Sequence, residues 1–176
     1  MLGREELAAR LRACALLEGD FTLRSGKKSR YYFDKYLFEG TPDVLAEVAR
    51  ALAAMIPPGT RQLAGVELGG VPLVTAVALA SGIPAIFVRK AAKEYGTEKL
   101  FEGPRVPDAP ALIIEDVVTT GGASIEAAKR LIGAGIEVIG VLAVLDRKQG
   151  GEEAFAEAGI KFRALFDRDD IGMPAG

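Results

Sequence analysis

The sequence predicts an α/β fold in which helices flank a central parallel sheet. From residue 62 onwards, β-prone segments alternate with helix-forming segments, which is typical of parallel strands joined by crossover helices. Residues 111–114 and 138–145 are almost entirely apolar, as strands covered on both faces must be. The chain has 176 residues, and a domain commonly holds about 150. We therefore expect a single domain over residues 1–176.

The part of the chain before residue 62 is organised differently. Residues 4–17 carry apolar side chains at helical spacing, which predicts an amphipathic helix packed as an outer lid. Residues 21–24 and 31–33 are β-prone and flank a polar loop with a glycine, so a hairpin is expected. Thr41-Pro42 predicts the start of a further helix, because proline is favoured at the first helical position.

The alternating part of the chain supplies the remaining elements. The predicted strands are 62–67, 84–88, 111–114, 138–145 and 161–166, and the predicted helices are 72–80, 123–134 and 151–158.

One long segment, residues 89–110, has no clean period. Between Arg89 and Arg105 it carries five basic and three acidic residues, although the chain as a whole is acidic. An irregular stretch of this length inside a domain is either functional or wrongly assigned. We expect a mobile loop over about residues 89–105 that closes over an anion.

The composition excludes several kinds of site. The chain has no histidine, which excludes a histidine base and a histidine metal ligand. Its only cysteine, Cys14, excludes an intrachain disulfide and a cysteine-based zinc site. With 22 basic and 24 acidic residues the net charge is −2, which argues against binding through bulk charge to nucleic acid or to an anionic membrane. We expect neither as a partner.

Two features favour a cytoplasmic protein. Glu5 and Glu6 lie where a secretory signal would have its apolar segment. Residues 68–88 carry no charge and are long enough to span a bilayer, but several glycines and prolines break them into loop, helix, turn and strand.

The strongest functional signal lies at residues 111–124, where an apolar strand, a loop and a helix follow one another. Ligands of open α/β sheets bind at the carboxyl ends of the strands, and the N-terminus of a helix offers free N–H groups to a phosphate. Gly121 and Gly122 permit close approach of the backbone, and Thr119, Thr120 and Ser124 add hydroxyl donors. The pattern predicts a cradle for a phosphate monoester.

Two adjacent acids, Glu115 and Asp116, stand between the apolar strand and this loop. Carboxylates cannot hold the phosphate itself, but they can accept hydrogen bonds from vicinal ribose hydroxyls or face Mg²⁺. The segment therefore predicts a sugar phosphate site. The alternative is an ordinary strand-to-helix turn with solvated acids. No Walker A loop and no Gly-x-Gly-x-x-Gly fingerprint is present here.

At this point the sequence resembles a known family. Residues 115–122, Glu-Asp-Val-Val-Thr-Thr-Gly-Gly, are similar to the signature with which type I phosphoribosyltransferases bind phosphoribosyl diphosphate (PRPP). Within that family, residues 21–33, 88–96 and 145–147 resemble the hood, the catalytic loop and the orotate-binding segment of orotate phosphoribosyltransferases. The resemblance is collinear from about residue 14 to residue 150.

The resemblance implies a fold, an activity and partners. The fold is that of a type I phosphoribosyltransferase, with a small N-terminal hood formed mainly by about residues 1–40. The activity is transfer of phosphoribosyl from PRPP to orotate, which gives orotidine 5'-phosphate and pyrophosphate on the way to UMP. Mg²⁺ is expected as cofactor, held by the diphosphate and not directly by the protein. A homodimer with shared active sites is also implied.

The resemblance assigns roles residue by residue. Those expected to bind PRPP are Arg89, Lys90, Lys93, Tyr95, Glu115, Asp116, Val117, Val118, Thr119, Thr120, Gly121, Gly122 and Ala123. Catalysis is assigned to Lys93 as the principal cation, together with Arg89 and Lys90, and orotate binding to Thr119, Arg147, Tyr32 and Phe33.

Taken without the family, several of these residues have simpler interpretations. Arg147 reads as a surface arginine, although its place beyond an apolar strand suits pairing with a planar acid. Tyr32 and Phe33 read as packing residues, with stacking on a flat base as the alternative. Lys93 reads as a solvated loop lysine.

The sequence also departs from the family pattern. Arg24 and Arg30 stand where members commonly have lysine and proline, and Tyr95 stands where many have histidine. Gly69 stands where some relatives carry a lysine, so backbone N–H groups are expected to do more of the anion binding there.

Two other functions share the PRPP loop. A phosphoribosyltransferase acting on a purine or on uracil needs no cation for a base carboxylate, and so gives no reason for Arg147. A PRPP-sensing regulator without catalysis needs a nucleic-acid surface, against which the acidic balance argues.

Overall fold

The computed structural model describes residues 2–22, 26, 28–89 and 100–174, and it contains two sheets. A small antiparallel sheet pairs β1 (Leu16–Thr22) with β2 (Lys28–Phe33). The strands of the large sheet are β3 (Gln62–Val66), β4 (Ala85–Val88), β5 (Phe101–Glu102), β6 (Ala111–Val118), β7 (Val138–Asp146) and β8 (Phe162–Asp167). The helices are α1 (Arg4–Ala15), α2 (Lys35–Glu39), α3 (Pro42–Ala53), α4 (Gly70–Ser81), α5 (Gly122–Gly133) and α6 (Gly151–Glu157).

The large sheet has the strand order β5-β4-β3-β6-β7-β8. All its pairs are parallel except that of β4 with β5. The predicted α/β architecture with a central parallel sheet is thus confirmed, and the sheet gains one antiparallel edge strand. That strand, β5, lies inside residues 89–110, where a loop was expected. It was missed because two residues are too few to show a period.

The central strands β3, β6 and β7 bury both of their faces. In β6, Leu112 and Ile114 pack with α1, α3 and α4, whereas Ala111 and Ile113 pack with α5 and α6. This alternation follows from the period of two in a strand. The helices of the described part of the chain include none that is long and apolar enough to cross a membrane.

Helix α1 is the amphipathic helix that its sequence predicted. Leu7 and Leu11 are almost fully buried in the same cluster as Leu63 of β3 and Leu142 of β7. The opposite face of the helix is exposed, as in an outer helix that covers the core with one face.

The topology opens a crevice at one edge of the sheet. From β3 the chain passes through α4 on one face to β4, and from β6 it passes through α5 on the other face to β7. The connections that leave β3 and β6 therefore diverge, although these two strands are neighbours. Such a switch point at the carboxyl ends of the strands is where open α/β sheets bind ligands.

Candidate active site

A pocket of about 400 Å³ occupies this crevice. It is formed by the end of β3 with its loop, by the end of β6 with the start of α5, and by the start of α2. Its lining residues are Lys35, Tyr36, Val66, Glu67, Leu68, Gly69, Glu115, Asp116, Val117, Val118, Thr119, Thr120, Gly121, Gly122, Ala123 and Ser124. The structure thus brings together the whole predicted PRPP motif, residues 115–123.

The loop before α5 has the geometry of an anion cradle. Gly121 caps the helix with φ 75°, and a Cβ there would lie 3.1 Å from the Phe155 ring, so the position favours glycine. The helical hydrogen bonds begin with Ile125 N–H donating to the Gly121 carbonyl oxygen at 3.0 Å. The N–H groups of the first turn before Ile125 therefore have no helical partner, and they carry the positive end of the helix dipole.

The sequence suggested that Glu115 and Asp116 follow the end of the strand. In the structure they lie within β6. The strand continues to Val118, because Val117 and Val118 still pair with Leu145 and Asp146 of β7. Both acids are consequently buried, with 8% and 2% of their surface exposed. They form the floor of the pocket and are not solvated turn residues.

Ser124 binds one of the two acids on the pocket floor. Its hydroxyl donates a hydrogen bond of 2.7 Å to the Glu115 carboxylate, so it is not free to act as the phosphate donor that the sequence suggested. Burial and the charge of Asp116 raise the pKa of Glu115 to about 7, although the bond from Ser124 works in the opposite direction.

Lys35 completes the floor, and the sequence did not single it out. Its Nζ donates a hydrogen bond of 2.5 Å to Oδ2 of Asp116. Burial by itself lowers the pKa of Lys35, but the charge of Asp116 and the hydrogen bond to it outweigh that effect and raise the pKa. The two residues are 81 positions apart in the chain, and a lone lysine after a hairpin belongs to no motif, so no local signal identifies the pair.

Glu39 lies behind this pair and was also missed. Its carboxyl is buried, and neither oxygen has a hydrogen-bond donor in the described part of the chain. Burial and the charge of Asp116 raise the pKa of Glu39 to about 8, and Lys35 offsets this only in part. Because this pKa lies above 7, the Glu39 carboxyl is predominantly protonated at pH 7.

Arg147 and Tyr32 lie outside the lining of the main pocket and within electrostatic reach of each other. The Arg147 N–H donates a bond of 2.9 Å to the Val118 carbonyl oxygen, which fixes the residue beside the end of β6. Burial lowers the pKa of Arg147, and the nearby Tyr32 partly offsets this. The Arg147 Nε is buried and has no hydrogen-bond partner in the described residues. These two predicted orotate-binding residues therefore interact electrostatically.

Phe33 points away from them. Its ring lies 6.1 Å from that of Phe38, and it packs against the core. This is the packing role that the sequence offered as the simpler interpretation, so a contact of Phe33 with the base stays a prediction without support from its placement.

Only one of the predicted catalytic cations falls within the described residues. Arg89 follows β4, and its Nε is buried without a hydrogen-bond partner in the described part of the chain. It borders a cavity of about 170 Å³ that also reaches Ala123. Lys90, Lys93 and Tyr95 lie outside the described residues, so their roles stay predictions.

No cluster that could hold a metal ion occurs within residues 2–22, 26, 28–89 and 100–174, where a cluster means three or more histidine, cysteine, aspartate or glutamate side chains.

Comparison with known proteins decides the family. The model of the phosphoribosyl transferase domain matches residues 40–158. The orotate phosphoribosyltransferase of Nocardioides sp. is 48% identical over 165 residues, which cover 94% of this chain and 92% of that protein. The chain belongs to the orotate phosphoribosyltransferase family. The family predicted from the sequence motifs is confirmed.

Solved structures of orotate phosphoribosyltransferases share the fold. The Mycobacterium tuberculosis enzyme in complex with Fe(III) dicitrate superimposes with a TM-score of 0.85 at 34% identity, covering 97% of this chain and 99% of that chain. The same enzyme in complex with PRPP superimposes with a TM-score of 0.84 at 31% identity, again over 97% and 99% of the two chains.

Proposed function

We propose that this protein transfers the phosphoribosyl group of PRPP to orotate, which releases pyrophosphate and forms orotidine 5'-phosphate in pyrimidine biosynthesis. The observation that carries this proposal is the pocket at the ends of β3 and β6, where a helix N-terminus stands beside two buried carboxylates. This pocket occurs in a chain 48% identical to an orotate phosphoribosyltransferase.

In this proposal the two ends of PRPP bind to different walls of the pocket. The 5'-phosphate binds to residues 119–123, which is supported by the free N–H groups and the dipole of α5. The ribose hydroxyls donate to Glu115 and Asp116, which is supported by the burial of both carboxylates beside this loop. The M. tuberculosis relative has been crystallised with PRPP, which is consistent with this use of the shared fold.

Orotate binds near the end of β7. A guanidinium can pair bidentately with a carboxylate, and Arg147 is half-buried there with a buried Nε that has no partner in the described residues. Tyr32, which interacts electrostatically with Arg147, has 44% of its surface exposed, so its ring is accessible to a flat base. Thr119 lines the adjoining pocket and stays a proposed contact.

The reaction breaks the bond between the anomeric carbon and the diphosphate, whose oxygen keeps the electron pair. It forms a bond from that carbon to N1 of orotate, and the proton of N1 passes to the departing pyrophosphate or to solvent. Positive charge develops on the ribose and negative charge on the leaving group, so catalysis comes from positioning and electrostatics. The carboxylates under the ribose stabilise the positive charge that develops on it. Arg89, Lys90 and Lys93 are proposed to neutralise the negative charge of the leaving pyrophosphate, with Lys93 as the principal cation. No protein nucleophile is required.

Mg²⁺ is proposed to enter with the diphosphate of PRPP. The two carboxylates on the pocket floor already accept hydrogen bonds from Ser124 and Lys35, so the diphosphate oxygens would supply most of the ligands. An ion bound there would neutralise charge on the leaving group. Removal of Mg²⁺ with EDTA should abolish turnover, and added Mg²⁺ should restore it.

We further propose a homodimer in which the loop over about residues 89–105 of one subunit completes the site of its neighbour. This follows from the family resemblance. A cytoplasmic location, and the expectation of no nucleic-acid or membrane partner, also stay predictions from the sequence.

The test is turnover by the purified protein with PRPP and Mg²⁺, in matched reactions with orotate, uracil, adenine, guanine and xanthine. We expect orotate consumption and pyrophosphate release with orotate alone. Turnover of another base would keep the PRPP site and overturn the assignment of the base. PRPP binding without turnover of any base would instead favour a regulator.

A further inference from the structure

The pocket has an unfavourable charge for its proposed substrate. Of the described residues that line it, three carry carboxyl groups, Glu67, Glu115 and Asp116, and one, Lys35, is a cation. PRPP brings a phosphate and a diphosphate. An anion of this charge needs cations close to it, because desolvated charges must be paired. Lys35 is the described lining residue that can supply one.

The fold holds Lys35 firmly in the pocket. Asp34 caps α2 by accepting a hydrogen bond of 3.1 Å from the Tyr36 N–H, which places Lys35 in the first turn. A side chain at Gly69 would overlap both the Asp116 carboxylate and the end of the Lys35 side chain. Glycine at this position therefore leaves the space that Lys35 occupies.

The geometry of PRPP places its diphosphate near this lysine. The 5'-phosphate and the diphosphate leave the ribose from opposite sides of the ring. When the 5'-phosphate binds at residues 119–123 and the hydroxyls at Glu115 and Asp116, the diphosphate points to the remaining wall. That wall consists of Lys35 and residues 67–69.

We propose that Lys35 binds the diphosphate of PRPP, and that Asp116 holds its ammonium group in place until the ribose hydroxyls take over as donors to Asp116. This inference rests on the proposed function. The side chain of Lys35 is 31% exposed whereas that of Asp116 is 2% exposed, so the lysine can turn towards the pocket while the carboxylate stays fixed.

Glu39 supports this arrangement. Its pKa of about 8 keeps it predominantly protonated at pH 7, so Lys35 is paired with one carboxylate and not divided between two. Once hydroxyl donors occupy Asp116, the charge of Lys35 is available to an anion.

The test compares Lys35→Met with Lys129→Met, a control that removes an exposed lysine on α5 outside the pocket lining. Binding of PRPP, magnesium pyrophosphate and ribose 5-phosphate is measured by calorimetry. We expect Lys35→Met to weaken PRPP and pyrophosphate by about tenfold to a hundredfold, as for loss of a hydrogen bond to a charged group. Binding of ribose 5-phosphate, which has no diphosphate, should be unchanged, and the control should match the wild type.

Equal weakening of ribose 5-phosphate would overturn the proposal, because Lys35 would then act only by positioning Asp116. Unchanged pyrophosphate binding would overturn it as well. If Lys35→Met does not fold, Lys35→Gln gives the same comparison, since the amide still donates to Asp116 but carries no charge. Failure of the wild type to bind PRPP would overturn the proposed function and this inference with it. Failure of the inference alone differs from this, because the wild type would then still bind PRPP.

Discussion

Arg147 is the side chain on which the choice of base depends. Its guanidinium is half-buried, and its Nε has no hydrogen-bond partner among the described residues. Leaving such a group without an acceptor is costly. We expect Arg147→Lys to raise KM for orotate about tenfold to a hundredfold, because lysine cannot pair bidentately with a carboxylate. The affinity for PRPP should not change. Initial rates at varied orotate and calorimetry with PRPP measure the two effects.

Arg163→Lys is the matched control for this prediction, since Arg163 is exposed on β8. Arg163→Lys should leave the KM for orotate and the affinity for PRPP unchanged. An Arg147 variant with normal KM for orotate would remove the argument for a carboxylated base.

Glu39 makes stability depend on pH. Its pKa rises on folding from the usual 4.5 to about 8. Between these values the unfolded chain has lost the proton that the folded chain retains, so the free energy of unfolding falls as pH rises through this interval. Glu39→Gln removes the effect, because an uncharged amide replaces the carboxyl.

We expect thermal unfolding to show little difference between Glu39→Gln and wild type near pH 4.5. Above pH 8 the variant should melt higher than the wild type, by about 2–4 °C for each kcal/mol of stability that ionisation of Glu39 removes. If the difference in melting temperature between Glu39→Gln and the wild type stays the same at every pH, the raised pKa of Glu39 is contradicted.

Helices and strands were predictable where an apolar period was long enough. The predicted helix 123–134 matches α5 (Gly122–Gly133), and the predicted strand 138–145 matches β7 (Val138–Asp146). The five residues of α2 show no period, which is why the helix that carries Lys35 and Glu39 was missed.

The end of β6 was predicted too early for a different reason. Glu115 and Asp116 look like the end of a strand because they are charged, and local polarity usually marks exposure. Pairing with β7 extends the strand through them to Val118, and Ser124 and Lys35 provide the donors that make their burial possible. The phosphate loop was predictable because it lies within one short motif. The floor of the pocket was not, because Lys35 reaches it from a distant part of the chain.

The start of α5 gives a prediction that joins stability to binding. Gly121 has φ 75° and lies close to the Phe155 ring. We expect Gly121→Ala to lower the free energy of unfolding by about 1–2 kcal/mol, the cost of a left-handed conformation for a residue with a Cβ. It should also weaken ribose 5-phosphate binding, because the N–H groups of the first turn move with the cap. Urea unfolding and calorimetry measure these changes.

Gly133→Ala serves as the control at the other end of the same helix, where a Cβ meets no atom of the described residues within 4 Å. It should leave binding unchanged and be neutral or slightly stabilising, since alanine favours helix. Equal behaviour of the two variants would contradict a special role for the cap.

The proposed dimer places catalytic residues of two subunits in each site, and complementation tests this for the whole molecule. Lys93→Ala should lower kcat about 10²-fold, and Arg147→Ala should abolish orotate binding. If the loop over about residues 89–105, called the lid below, serves the neighbouring site, each mixed dimer has one site with both changes and one with neither. Random pairing then restores about one quarter of wild-type activity. Mixing Lys93→Ala with Arg89→Ala should restore none, because both changes lie on the lid and leave no intact site. Absence of recovery in the first mixture, with subunit exchange verified, would show that each lid closes over its own subunit.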